Sequence, residues 1–145
     1  MAKLKYKKIV SAGGIVFRKN GDSTEWLVTQ HSLHKAWGFP KGYVGDIDKD
    51  EKPETAALRE VSEEGGIVAE IVNPIPIETK YKYQAEGTLF DKTVIYYLME
   101  YKSGDPNDHD WEVSEAKFIP ESEVREILTF DTDKEAFKNI LCLSF

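Results

Sequence analysis

The chain has 145 residues, 41% of them hydrophobic and 12% aromatic, with a formal net charge of −7 at pH 7. A chain this long buries roughly 68–70% of its unfolded surface, enough for one real core, and its acidic balance argues against a non-specific nucleic-acid binder while leaving room for a nucleotide site that recruits its own cation. Cys142 is the only cysteine, which excludes an intramolecular disulfide and suits a reducing cytoplasm; no apolar run reaches the length of a membrane span.

In chain order, the basic start leads into an amphipathic strand with Gly13 and Gly14, not into the apolar stretch of a signal peptide. Residues 8–18 and 26–29 read as strands joined by the turn Asn20-Gly21-Asp22-Ser23. Residues 36–45, Ala-Trp-Gly-Phe-Pro-Lys-Gly-Tyr-Val-Gly, read as a glycine-punctuated loop. In it Gly42 and Gly45 allow backbone to approach a phosphate or metal, and Lys41 can meet phosphate charge. Pro53 suits a first helical position, Ala57 and Val61 supply an inward apolar edge, and Gly65 with Gly66 supply a left-handed exit. Strands follow over 67–72 and 76–83, where Lys80-Tyr81-Lys82-Tyr83 alternates as a sheet with one wet face does. Gly87 turns the chain into a β-branched and aromatic strand at 92–101, a polar loop spans 103–110, and a short strand covers 116–119. Two helices close the chain: 121–128, opened by Pro120, and 132–141, with Thr132 as its candidate N-cap. The expectation is one α+β domain over residues 1–145, with no repeat or linker.

The helix carries an unusual charge pattern. Glu60, Glu63 and Glu64 share one face in its last turn and a half, where their mutual repulsion and the helix macrodipole both disfavour them. A bound cation relieves both costs, and convergent carboxylates are what hard divalent ions require. Arg59 lies four before Glu63 and adjoins Glu60, so it can orient a carboxylate through paired hydrogen bonds. The bland alternative is a solvated acidic face.

Residues 42–67 resemble the signature box of the Nudix hydrolases, which cleave nucleoside diphosphates linked to another group. The half from Arg59 to Ile67 follows that box throughout, and seven residues lie between Glu51 and Arg59. Gly45 satisfies the literal spacing, whereas the Pro-Lys-Gly context points to Gly42. On that alignment the loop 45–50 carries about three extra residues relative to the usual box. The resemblance implies an α/β/α sandwich built on a mixed β-sheet, and dependence on Mg²⁺, with Mn²⁺ as an alternative.

Most of the chain is similar to the asymmetrical diadenosine tetraphosphate hydrolases, through Trp37-Gly-Phe-Pro-Lys-Gly, Lys92-Thr-Val-Ile-Tyr-Tyr-Leu and the closing segment. That resemblance implies metal ligation by Glu60, Glu63, Glu64 and a carbonyl at Gly42, with Glu112 completing the site from outside the helix. It also implies a nucleobase near Tyr96 and Phe130, against the plainer reading of both as core or wall residues. Successive strand side chains alternate, so one of Tyr96 and Tyr97 must face inward. Lys41, with His34 and Lys80 behind it, is the candidate for phosphate contact. Either Glu63 or Glu112 takes the proton of an attacking water, and Arg59 orients the glutamates. Glu115, His31 and His109 read as surface residues, and so does His34 in preference to a phosphate contact. The implied reaction is in-line hydrolysis of diadenosine tetraphosphate to ATP and AMP. A nucleoside triphosphate, ADP-ribose or RNA 5′ end are alternative substrates, and a non-catalytic nucleotide sensor is the alternative from another class. Neither a membrane nor a stable nucleic-acid complex is expected, and the sequence leaves the oligomeric state open.

Overall fold

The computed structural model describes residues 4–45 and 48–143. Asp46 and Ile47, in the middle of the entry loop that departs from the family pattern, lie outside the described residues. Strand β1 (Lys5–Asn20) and strand β2 (Ser23–His31) form a hairpin closed by Gly21 and Asp22, with Asn20 opposite Ser23. The segment expected as a loop is instead two short strands, β3 (Trp37–Gly38) on β2 and β4 (Lys41–Tyr43) on β1. The reason is burial: Phe39 is enclosed, and peptide groups next to it must find partners. Gly14 N–H donates to the Pro40 carbonyl at 3.1 Å and Val44 N–H to the Val10 carbonyl at 3.0 Å.

Helix α1 (Pro53–Gly65) begins with its proline in the first turn, as predicted, and ends at Gly66 with φ 71°. Strands β5 (Ile67–Ile71), β6 (Ile77–Ala85) and β7 (Thr88–Gly104) follow, then a 3-10 turn (Pro106–Asp108), strand β8 (Val113–Pro120), and helices α2 (Glu121–Ile127) and α3 (Asp131–Leu141). The eight-stranded sheet runs β3-β2-β1-β7-β5, with β4 on β1, β6 on β7 and β8 on β2. β1 and β7 pair in parallel at its centre, and the other pairings are antiparallel. The sheet is therefore mixed, as expected.

Both of its faces are covered. One carries α1, whose Ala56, Ala57 and Val61 pack with Ala12, Leu27, Tyr97 and Met99. The other carries α2 and α3, whose Val124, Phe137 and Ile140 pack with Ile15, Trp26, Phe39, Tyr96 and Leu98. This is the α/β/α sandwich, and it alters the expectation for the tyrosine pair. Tyr96 and Tyr97 do alternate, but each points into a core, and both are buried. The N-cap of α3 also differs from expectation. Phe130 holds that position without a side-chain cap, and Thr132 is already inside the helix. Tertiary contacts fix this entry: Trp37 N–H donates to Thr129 Oγ1 at 2.9 Å, and Thr129 N–H donates to the Trp37 carbonyl at 3.1 Å. Among the described residues no helix is long and apolar enough to cross a membrane.

Candidate active site

The last two turns of α1 place Glu60 and Glu64 against β4. Glu60 is only 4% exposed, and its carboxylate lies against Gly42, where a Cβ would fall onto the carboxylate carbon and oxygens. Only glycine fits there, so Gly42 is the glycine that faces the acidic cluster. Gly45 serves the cluster from further out, where its N–H donates to Glu51 Oε1 at 3.1 Å.

Arg59 organises the cluster more widely than its sequence neighbours suggest. Its Nε and Nη2 grip Glu51 at 2.8 and 2.9 Å, the paired geometry of a guanidinium on a carboxylate. Its Nη1 reaches Glu60 at 2.7 Å and Glu63 at 3.3 Å. In the sequence Glu51 stands out only as a spacing mark. Eight positions separate it from Arg59, and only the fold at the start of α1 brings the two together. The hydrogen bonds from Arg59 hold the Glu51 carboxyl below its ordinary range, and those contacts raise Arg59 in turn.

Glu60 and Glu64 are pushed the other way. Burial raises Glu60 to about 7 against the pull of Arg59, with Glu63 and Glu112 adding repulsion. Burial raises Glu64 to about 8, although the positive charge of Lys41 and its backbone N–H, 3.3 Å from Glu64 Oε1, favour the ionised form. Glu60 and Glu112 also repel Glu64. Glu112 therefore acts electrostatically on the cluster. Backbone contacts hold it there: Asp110 N–H donates to the Glu63 carbonyl at 2.8 Å, and Ser32 N–H to the Glu112 carbonyl at 2.9 Å. Glu115, by contrast, is exposed and paired with Lys117 at 3.1 Å.

Buried, mutually repelling carboxylates beside a glycine backbone are a hard-oxygen donor set, and this set fits a divalent cation. Among the described residues no three acidic, imidazole or thiol groups already stand in metal-holding geometry. Glu60 and Glu63 are turned onto Arg59 instead.

Away from the cluster the cleft turns basic and aromatic. A narrow crevice lined by Thr29, His31, Trp37, Lys41, Glu64 and Val113 leads into a cavity of about 480 Å³. Lys41, His34, Phe130 and Asp133 line both spaces, so Lys41 stands at their junction. The rings open to the larger cavity are Tyr81, Tyr83 and Phe130, the last 49% exposed. Lys92 joins them, its Nζ 5.6 Å from the Tyr43 ring centroid and 6.0 Å from that of Tyr81. Burial lowers Lys92 to about 8, and the neighbouring Lys41 lowers it further. His31 and His34 stack with ring centroids 3.9 Å apart. Burial, Lys41 and, for His34, the paired ring keep both below the usual histidine value.

Two expectations fail here. Tyr96 is 0% exposed, packs edge-on to Phe39 and donates its hydroxyl to Asp133 Oδ1 at 2.8 Å, so it has no face open to a base. Lys80 points to the opposite side of β6 from Tyr81, into a separate shallow hollow with Lys8 and Asp91. Lys92 and Tyr81 take their places in the cleft, and they sit opposite each other in the β6–β7 register. The alternation of Lys80-Tyr81-Lys82-Tyr83 was the one signal that could have pointed to that face.

A family model described as the NUDIX domain matches residues 7–140. An RNA pyrophosphohydrolase of Nitratiruptor sp. is 30% identical over 97% of this chain and 94% of its own length. The Mycobacterium tuberculosis protein MutT4 is 33% identical over 68% of this chain, which spans 38% of that relative's length. Among solved structures, a binary complex of the C. elegans Ap4A hydrolase superposes with a TM-score of 0.74 at 25% identity, covering 92% of this chain and 95% of that one. The NUDIX domain of Shewanella oneidensis NrtR, solved with ADP ribose, superposes at 0.66 and 22% identity over 93% of this chain and 89% of that one, a likeness of fold.

Proposed function

Because the chain belongs to the Nudix hydrolase family, we propose that it hydrolyses a pyrophosphate bond in a dinucleoside polyphosphate, converting diadenosine tetraphosphate to ATP and AMP. The observation that carries this reading is the cleft itself. An aromatic and basic cavity large enough for a nucleoside opens through Lys41 onto a crevice that Glu64 of the acidic cluster lines. The structural likeness to the C. elegans Ap4A hydrolase supports it.

The division of labour follows from the geometry. One base enters between Tyr81 and Phe130, an arrangement that any purine face satisfies. Lys92 and Lys41 take the phosphates as charge partners. Mg²⁺, or Mn²⁺, held by Glu60, Glu63, Glu64, Glu112 and the Gly42 carbonyl, supplies the Lewis acid that offsets the charge of the bridge. Water attacks one phosphorus in line, a new P–O bond forms, and the bridging oxygen leaves with the other product. Glu112 takes the proton from that water, since Glu63 is engaged by Arg59 and Glu112 is not. Arg59 acts through the carboxylates, holding Glu60 and Glu63 in position without touching substrate.

The test is a substrate panel: diadenosine tetraphosphate, nucleoside triphosphates, ADP-ribose and a 5′-triphosphorylated RNA, each with Mg²⁺ in ¹⁸O-water. The expected products are ATP and AMP, and the labelled one marks the phosphorus attacked. Intact diadenosine tetraphosphate alongside cleavage of another substrate overturns the assignment. The likeness to the RNA pyrophosphohydrolase, which extends along almost the whole chain, makes the RNA 5′ end the second reading.

A further inference from the structure

The cleft is aromatic at one end and acidic at the other, and the two loops joined at Glu112 carry large apolar side chains with little cover. Trp111 is 82% exposed and Leu33 is 85% exposed. Tryptophan is on average among the more buried residues, so an indole left almost wholly in water calls for a partner. Trp111 directly precedes Glu112, and the loops bearing Trp111 and Leu33 are joined by the Ser32 N–H to Glu112 carbonyl bond of 2.9 Å. The exposure is not that of a loose loop. Asp105 accepts from Asn107 N–H, Asp110 N–H donates to the Glu63 carbonyl, and Glu112 N–H donates to Asp110 Oδ1. A ring on so firmly held a backbone can be covered with little further loss of chain entropy.

We propose that Trp111 is the platform for the second nucleobase of a dinucleoside polyphosphate, with Leu33 beside it. The inference rests on the function proposed above. It follows from the order of features: Tyr81, Lys92 and Phe130 line the cavity, Lys41 joins it to the crevice that Glu64 and Val113 line, and Trp111 and Glu112 directly precede Val113 in the chain. That order is the chemistry of the ligand laid out in line, a flat base at each end and an anionic bridge between. It also accounts for an uneven cut. The carboxylates lie close to the Trp111 end, so the bond broken lies nearer the base that Trp111 holds, and the product leaving that end is the shorter one.

The experiment compares two substrates that differ only at the distal end, diadenosine tetraphosphate and adenosine 5′-tetraphosphate. Trp111→Ala should raise KM for the dinucleotide and lower its kcat/KM by roughly 5- to 100-fold, the range one base–aromatic stack supplies. The same variant should leave the mononucleotide unchanged, and Trp111→Phe should recover most of the loss. Equal loss on both substrates, or none on either, overturns the platform. So does a change in sedimentation that marks Trp111 as a contact between two copies of the chain. If the unaltered enzyme cleaves neither tetraphosphate, the proposed function itself has failed, and the platform falls with it.

Discussion

The two ends of the cleft are built in opposite ways. The acidic end comes from one helix: Arg59, Glu60, Glu63 and Glu64 are near neighbours in the chain, and Gly42 and Glu51 complete their setting. The aromatic and basic end is gathered from β4, β6, β7 and the start of α3, through Lys41, Tyr81, Lys92 and Phe130. A local helix can hold a reacting centre because its spacing is fixed by backbone hydrogen bonds. A cavity made from separate elements can change one wall at a time. On the function proposed above, chemistry is thus lodged in secondary structure, and selectivity in tertiary structure.

The largest expected effect tests the acidic end alone. Glu64→Gln should stay folded and lose turnover by roughly 10²–10⁴-fold with Mg²⁺, because a ligand charge worth several kcal/mol at the transition state is gone. Unchanged turnover would remove Glu64 from the metal site. Arg59→Ala should strike fold and site together. It leaves Glu51 and Glu60 as buried carboxylates without their cation, at a cost of about 3–5 kcal/mol in urea unfolding. A small change there would mean that Arg59 is not the keystone of this end.

At the other end, Lys92→Met should lower kcat/KM by roughly 10- to 100-fold, the worth of a charged hydrogen bond, with the fold intact. The pH behaviour separates the two ends further. Lys92, facing Lys41, Asp133 and Glu64, titrates in the free protein near 8, below the ordinary lysine value. Below that pH the fold carries a charge that the unfolded chain would solvate. Stability of the ligand-free protein should therefore rise as pH climbs from about 8 toward the ordinary lysine value. Lys92→Met should abolish this rise and lift Tm at neutral pH, while the alkaline fall of kcat/KM near 8 disappears. If that limb persists in the variant, another group controls it. The smallest effect concerns Tyr96. Tyr96→Phe removes one buried hydrogen bond to Asp133, costing about 1 kcal/mol, with KM unmoved; a raised KM would return Tyr96 to the base site.

The helix and its glutamates are legible in the sequence because their information is local: a proline start, a glycine stop and a spacing that fixes one face. The roles of Gly42 and Gly45 are not, since both satisfy a linear pattern and only β4 pairing shows which one meets Glu60. Glu51 stays hidden for the same reason. Tyr96 is misread from sequence because alternation tells which side a residue takes and not whether that side is covered. Here α3 and Phe39 close over it. Lys92 looks like an ordinary strand residue, because its placement beside Tyr81 depends on a register between two strands.

The parallel pairing of β1 with β7 carries a consequence for how the chain reaches this state. It joins residues more than 80 positions apart, from Lys5 with Thr88 to Phe17 with Glu100. Strands β2 to β6 and helix α1 all lie within the segment it closes. Closing so long a loop costs entropy before its contacts give any return, which slows folding. The acidic helix can form early from its own sequence. Glu60 and Glu64 meet β4 only once β1 is set in the sheet, and the aromatic cavity needs β7 in place as well. A newly made chain therefore holds its acidic cluster on a solvated helix until the centre of the sheet zips shut, and competence should appear late and all at once.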